Sequence, residues 1–432
     1  MKAIVIGGGI TGCVISSFLA DQGFTVHLYE SSNQLGGVLN DIYFNENFYY
    51  NDCQYLQNNS PWLDELRENI NINMIEFPHL YGSFTYTNYG QIISKNFAGP
   101  IFKYKLSNTE VQIMIKKAQT LSEASSLNER IHCYPAQLSS FFIKWLGNQT
   151  QTTLDSLSHF SSIALQFSRI YLKDDEENII NLKSQYLCLD DLLGLPRNYI
   201  YKEDSGLTAI LPTGGFNDLF KKFQIFLKNK KVNVHLSEFV KCKIKDDKLM
   251  LANKENRILE YDLAIWTGSP FPLIRLLMKE RISNHLDFCI TYVFRFCGSS
   301  KKSIDLPFYI QVFSLYHTFR RIYIYPKENN EQIVSVETLQ TQTNVNQILS
   351  SIYDILEKFD YLGKLEFIGT KKHAKKIFLT RDDLLGISKI KDILQEYDII
   401  DGGWHLYGRE SRINYVKDKI KGMMAEKKTF IL

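Results

Sequence analysis

Gly7, Gly9 and Gly12 stand in G-x-G-x-x-G spacing directly after an apolar run at 3–6, and an acid, Glu30, follows after seventeen intervening residues. These residue types in this order can hold an adenine dinucleotide. Gly7 permits a tight strand-to-helix turn, Gly9 lets the backbone approach a pyrophosphate, and Gly12 lets the helix pack on the strand. The helix N-terminus then turns its free N–H groups toward the anion. Glu30, at the end of a second strand, is placed to accept both ribose hydroxyls. After five more intervening residues comes a second glycine pair, Gly36 and Gly37.

The chain that must position these residues has 432 of them, more than one ordinary domain. Hydrophobic residues make up 44% and charged residues 22%, as in a globular enzyme. A net charge of only +3 argues against a surface that steers nucleic acid or membrane. The 25 Tyr and 28 Phe fit either the codon usage of an AT-rich genome or an aromatic-lined pocket. Seven cysteines, an odd number with no CxxC pair, argue against a disulfide framework or a zinc site. They point instead to a reducing, cytoplasmic setting. No run approaches eighteen apolar residues, and the apolar start has only Lys2 ahead of it and no cleavage site. Neither a transmembrane helix nor a signal peptide is expected.

Along the chain, alternation over 41–50 predicts a short hairpin, and Pro61–Asn69 a short helix. Between 108 and 170 the only glycine and proline are Gly147 and Pro135, and 109–121 and 139–146 are amphipathic. An inserted helical domain is expected there. A turn at 211–216 leads into a helix over 217–228, followed by strands at 232–236, 239–245, 248–252 and 261–266. The last of these ends in the small residues Thr267, Gly268 and Ser269. The stretch 288–340 reads as an antiparallel sheet, 346–359 as a helix, the basic run 371–376 as a solvated helix face, and 401–424 as a glycine-bounded turn into a final helix.

With the acid and the second glycine pair in register, the N-terminus resembles that of the flavoprotein superfamily of glutathione reductases, amine oxidases and UDP-galactopyranose mutases. Four later segments resemble the mutases in particular. They are 50–58 with Trp62; Leu195, Pro196 and Arg197 with the PTGGF turn at 212–216; 319–322, where Arg321 lies on a strand; and Gly408 and Arg409 with Tyr415 and Asp418 downstream. Where mutases carry flavin-proximal histidines, this chain has Cys53 and Leu56.

The resemblance implies an α/β fold: a discontinuous Rossmann-like FAD-binding domain (1–80, 205–284 and 365–432), an inserted helical domain (81–190) and an antiparallel β-sheet substrate domain (191–204 and 285–364). It favours FAD over NAD, held by Gly7, Gly9, Gly12, Glu30, Gly36, Gly37, Gly408 and Asp418, with no metal. It implies a nucleotide-sugar substrate, and NAD(P)H as a reductant for the flavin. The implied activity is pyranose/furanose interconversion with the N5 atom of reduced FAD as nucleophile, which divides one hard step into easier ones. Arg197, Arg321, Arg409 and Tyr415 are the implied catalytic residues, because arginine grips a leaving diphosphate with a fixed fork of donors. The other enzymatic reading is an amine oxidase or desaturase passing hydride to the flavin. A flavin-binding protein that has lost its activity is the third.

Overall fold

The five-residue run KAIVI is almost entirely buried, as strands covered on both faces are. In the computed structural model it is the central strand of a parallel sheet. The structure describes residues 1–51, 54–58, 60–196, 208–245, 248–277, 287–297, 308–327, 331–339, 344–361, 363–375 and 378–429. The protein is a mixed α/β chain of two units. Unit 1 comprises Met1–Ile75, Ile210–Ser283 and Asp383–Leu432, and unit 2 comprises Glu76–Ala209 and Asn284–Asp382.

The sheet of unit 1 runs in the order Asn233–His235, Thr25–Tyr29, Lys2–Ile6, Leu263–Trp266 and Ile399–Asp401, all neighbours parallel. From the central strand the chain leaves to one side through the helix Ile10–Asp21, while Leu263–Trp266 joins on the other side. That reversal of direction opens a crevice at the carboxyl end of Lys2–Ile6, the place where open α/β sheets bind their ligands. The expected hairpin pairs Ile42–Phe44 with Asn47–Tyr49. Its turn residues Asn45 and Glu46 both have positive φ, as two-residue turns that match strand twist require. Asp41, just before it, caps the helix Gly215–Asn229 by accepting from the amides of Phe216 (3.1 Å) and Asn217 (2.8 Å).

Unit 2 opens with strands, Tyr81–Thr87, Gly90–Ser94 and Ile101–Phe102, and its first helix, Asn108–Ala118, starts behind a capping box of Ser107 and Glu110. A second box, Ser126 with Glu129, starts Leu127–Ile131. These helices and Ala136–Gly147 bury Met114, Ile131, Phe142 and Trp145 in one apolar core. The sheet of this unit has the order Lys364–Lys375, Asp287–Cys297, Gln332–Thr338, Phe319–Pro326, Tyr309–Ser314, Tyr81–Thr87 and Gly90–Ser94. One face packs Ile322, Ile324 and Val336 against Ile348, Ile352 and Ile355 of the helix Val345–Lys358.

Two expectations change here. The basic run 371–376 is no helix face, because Lys364–Lys375 is a strand at the sheet edge, with Lys371 opposite Thr291 and Lys372 opposite Ile290. Lysine and alanine favour helix locally, but pairing with the long neighbour Asp287–Cys297 overrides that preference. The second concerns Arg320 and Arg321, whose side chains strand alternation would send to opposite faces. The register shifts between Phe319 and Arg321, so Arg320 is the extra residue of a bulge. Both arginines consequently meet one carboxylate: Arg320 donates to Glu337 Oε1, and Arg321 Nε lies 3.4 Å from Glu337 Oε2.

Arg320 and Glu337 are 1% and 2% exposed. Glu337→Ala should therefore destabilise the protein by about 3–5 kcal/mol, because it leaves a buried guanidinium without its carboxylate. Urea unfolding measures this, and a loss below about 1 kcal/mol would show that the pair is not buried as described.

Candidate functional site

Gly7 leaves the first strand with φ of 108°, and its amide donates to Tyr29 O at 2.8 Å. A Cβ at Gly7 would meet Gly268 N at 2.7 Å, and one at Gly12 would meet Gly7 O at 1.9 Å. Gly9 is different. It starts the helix Ile10–Asp21 in extended backbone without a side-chain cap, and a Cβ there would meet nothing within 4 Å. The first turn also carries no acid. The space over Gly9 is therefore a cradle of uncapped amides that a side chain would fill, which is what a pyrophosphate requires.

Glu30 is buried at the rim of this cradle. Its Oε2 accepts the Gly8 amide at 2.6 Å, and its Oε1 accepts the Ser32 amide at 2.7 Å and the Ser31 hydroxyl at 3.2 Å. A carboxylate offers about four acceptor positions. The acid thus holds the glycine loop and retains capacity for a ribose hydroxyl. The second glycine pair folds onto the first: the Gly36 amide donates to Gly8 O at 2.9 Å, and Gly9 and Gly36 form a parallel bridge. Gly36 and Gly37 have φ of 120° and 57°, values that cost glycine nothing.

Thr267 closes the other side. Its amide donates to Ile6 O at 2.8 Å, its hydroxyl lies 3.0 Å from Ile6 O and 2.9 Å from Gly7 O, and the Gly268 amide reaches Ile6 O at 2.9 Å. Next in the stack is the segment after Ile399–Asp401. A Cβ on Gly402 would lie 2.8 Å from Thr267 Cα, and the Trp404 indole donates to Gly268 O at 2.9 Å. Asp401 is 5% exposed; its two oxygens accept the Gly403 amide (2.8 Å) and the Tyr415 hydroxyl (2.7 Å).

The glycines and Glu30 thus form one cradle, while the other residues singled out in the sequence lie elsewhere. Gly408, with φ of 87°, turns the chain into the last helix, Arg409–Thr429. Arg409 donates to Tyr55 O at 2.6 Å and to Gln54 Oε1, and Glu410 accepts from the Trp62 indole at 3.0 Å. These contacts tether the helix start to 54–62. Burial, aided by the Asp401 hydrogen bond, pushes the Tyr415 phenol well up, so it remains a donor. Tyr415 and Asp418 line a groove of about 630 Å³ with Lys391 and Ile399, beside the edge strand and two strands from Lys2–Ile6. The Asp418 side chain is 75% exposed there and lies 3.7 Å from Lys421. Arg321 belongs to unit 2. Leu56 is buried, and Arg197 and Cys53 lie outside the described residues.

Asp401, Trp404 and Arg412 escaped the sequence reading. Asp401 and Tyr415 are fourteen residues apart, a spacing that follows no helical or strand period. Arg412, one turn after Arg409, offered only that interval as a signal.

Residues 5–56 match the sequence model of the NAD(P)-binding Rossmann-like domain. That agrees with the Rossmann-like arrangement at the start of unit 1. Among solved structures, the chain resembles a reduced UDP-galactopyranose mutase at 13% identity and TM-score 0.65, covering 95% of this chain and 93% of that one. A protein from Exiguobacterium sp. 255-15 described as a protoporphyrinogen oxidase aligns at 14% identity and TM-score 0.59, over 98% and 99% of the chains. Wild-type putrescine oxidase bound to putrescine aligns at 11% and 0.58, over the same shares. At such identities the likeness establishes a shared fold. No curated protein matches the chain in sequence.

Gly9→Val and Gly12→Val should separate binding from folding. Gly9→Val should leave thermal stability near wild type while abolishing dinucleotide binding, whereas Gly12→Val should lower the melting temperature sharply. Differential scanning fluorimetry with and without dinucleotide distinguishes them, and equal destabilisation by both would contradict the open space over Gly9.

Proposed function

We propose that the chain is an FAD-dependent enzyme and that its substrate is a nucleotide-activated sugar, interconverted between pyranose and furanose rings in the manner of a UDP-galactopyranose mutase. The observation that carries the cofactor is the second glycine pair. Gly36 and Gly37 give the backbone a second close approach beside Gly9, a feature that a nicotinamide dinucleotide site does not need. Gly9 and the amides of the following helix would hold the pyrophosphate, and Glu30 the ribose. FAD bound there would supply the electron-rich centre, so that no triad or metal is required of the protein.

The substrate class is supported by unit 2. Strand register puts Tyr309 opposite Tyr323, Gln311 opposite Arg321, and Tyr323 opposite Ser335. The sheet face away from Val345–Lys358 therefore carries hydroxyls, an amide, and the Arg321 guanidinium beside the Glu337 carboxylate. Such groups suit a hydroxyl-rich substrate better than an apolar amine. An oxidase reading is favoured by a different trait of the same face: Tyr323 and Tyr325 pack at 5.0 Å between ring centres, as in an aromatic-lined pocket.

The purified protein should be yellow, with a flavin spectrum that persists through gel filtration. After reduction it should bind UDP, GDP or dTDP more tightly than when oxidised, and borohydride-type trapping with a nucleotide sugar should yield a flavin–sugar adduct. Turnover of an amine with stoichiometric peroxide, indifferent to nucleotide sugars, would assign it to the oxidases instead. A colourless protein that cannot be reconstituted with FAD would remove the flavin reading altogether.

A further inference from the structure

Arg412 sits in the first turns of the last helix. Its Nε donates to Leu406 O at 3.0 Å, and among the described residues its two terminal nitrogens have no partner. Other half-buried or buried arginines are engaged at their terminal nitrogens: Arg320 by Glu337, Arg409 by Tyr55 and Gln54, Arg130 by the carbonyls of Ser168 and Asp191. A half-buried guanidinium whose fork meets no anion has unused capacity for one. Burial draws its pKa down, against an opposing effect of Tyr407.

Among the described residues neither Asp401 nor Glu410 forms an ion pair with Arg412. Asp401 uses one oxygen for Gly403 and the other for Tyr415, and Glu410 accepts from Trp62. Position gives the unpartnered fork a meaning. A Cβ on Gly403 would lie 3.3 Å from Arg412 Cα and 3.4 Å from its Cγ. Gly403 follows Gly402, which touches Thr267, and Thr267 lies against Gly7. A continuous run of close backbone contacts therefore leads from the cradle glycines to this arginine, along the carboxyl ends of Lys2–Ile6, Leu263–Trp266 and Ile399–Asp401.

We infer that Arg412 is an anion-binding residue, reserved for a phosphate that enters at the carboxyl ends of these strands. The phosphate belongs either to the dinucleotide or to a phosphate-bearing substrate, and both present the same oxygens to a guanidinium fork. The inference rests on the flavin reading only for the names of these two sources, because the half-buried cation without a carboxylate is a property of the apoprotein.

The test compares wild type with Arg412→Gln, which removes the charge, and Arg412→Lys, which keeps it without the fork. Two dissociation constants are read: that of FAD for the deflavinated protein, and that of UDP for the reduced holoprotein. Arg412→Gln should weaken one of them ten- to hundredfold, as expected on losing a charge-assisted contact, and Arg412→Lys should recover part of the loss. A weakened FAD constant assigns the phosphate to the cofactor, and a weakened UDP constant with FAD unchanged assigns it to the substrate. Both constants within twofold of wild type in Arg412→Gln would overturn the inference. Inorganic pyrophosphate provides an arm that survives if the protein carries no flavin at all. It should raise the melting temperature of the wild-type protein and do so less for Arg412→Lys, which is also the readout should Arg412→Gln fail to fold. Equal shifts in wild type and Arg412→Lys would count against the fork.

Discussion

The carbonyls of Ile6 and Gly7 receive the amide and hydroxyl of Thr267 and the amide of Gly268, and this seam constrains everything around it. It joins the first strand to one more than 250 residues later at the point where the sheet reverses direction. Because the backbones meet there, a Cβ at Gly7, Gly12 or Gly402 would come within 3 Å of a neighbour. Two distant stretches of sequence must be free of side chains at these points for the seam to close. Once closed, it leaves Gly9 as the one fingerprint glycine facing open space, and the helix amides beside it acquire a direction and a vacancy together.

The part of this that a linear reading recovers is the part that local geometry dictates. The glycine spacing, the acid at 30 and the second glycine pair fall within 37 residues, and each has a reason at the scale of one turn. The same holds for Pro61–Asn69, for the 42–49 hairpin and for the capped helices after Ser107 and Ser126. The α/β class of the whole chain is implied by the family resemblance, and the structure has that class.

What could not be read locally depends on partners far away in the chain. Strand alternation assigns Arg320 and Arg321 to opposite faces; a bulge, set by pairing with Gln332–Thr338, brings both to Glu337. Asp401 is unremarkable in sequence, yet both of its oxygens are occupied, and it anchors the last helix through Tyr415. Arg409 stood out by its position after glycine and turns out to tether 54–55, whereas Arg412, with nothing local to mark it, has terminal nitrogens without a partner among the described residues. Free valence, unlike residue type, is a property of the folded environment.

The edge strand Lys364–Lys375 has a consequence of its own. Among the described residues it pairs on one side only, and a long antiparallel edge is a template on which another chain could continue the sheet. Phe367 is 41% exposed on it, which would reward such growth. Lys364, Lys371 and Lys372 are exposed along the same strand, and stacking a second copy in register would set like charges against one another. Lysines that look like ordinary surface residues thus disfavour that in-register pairing, in the way charged side chains blunt sheet edges.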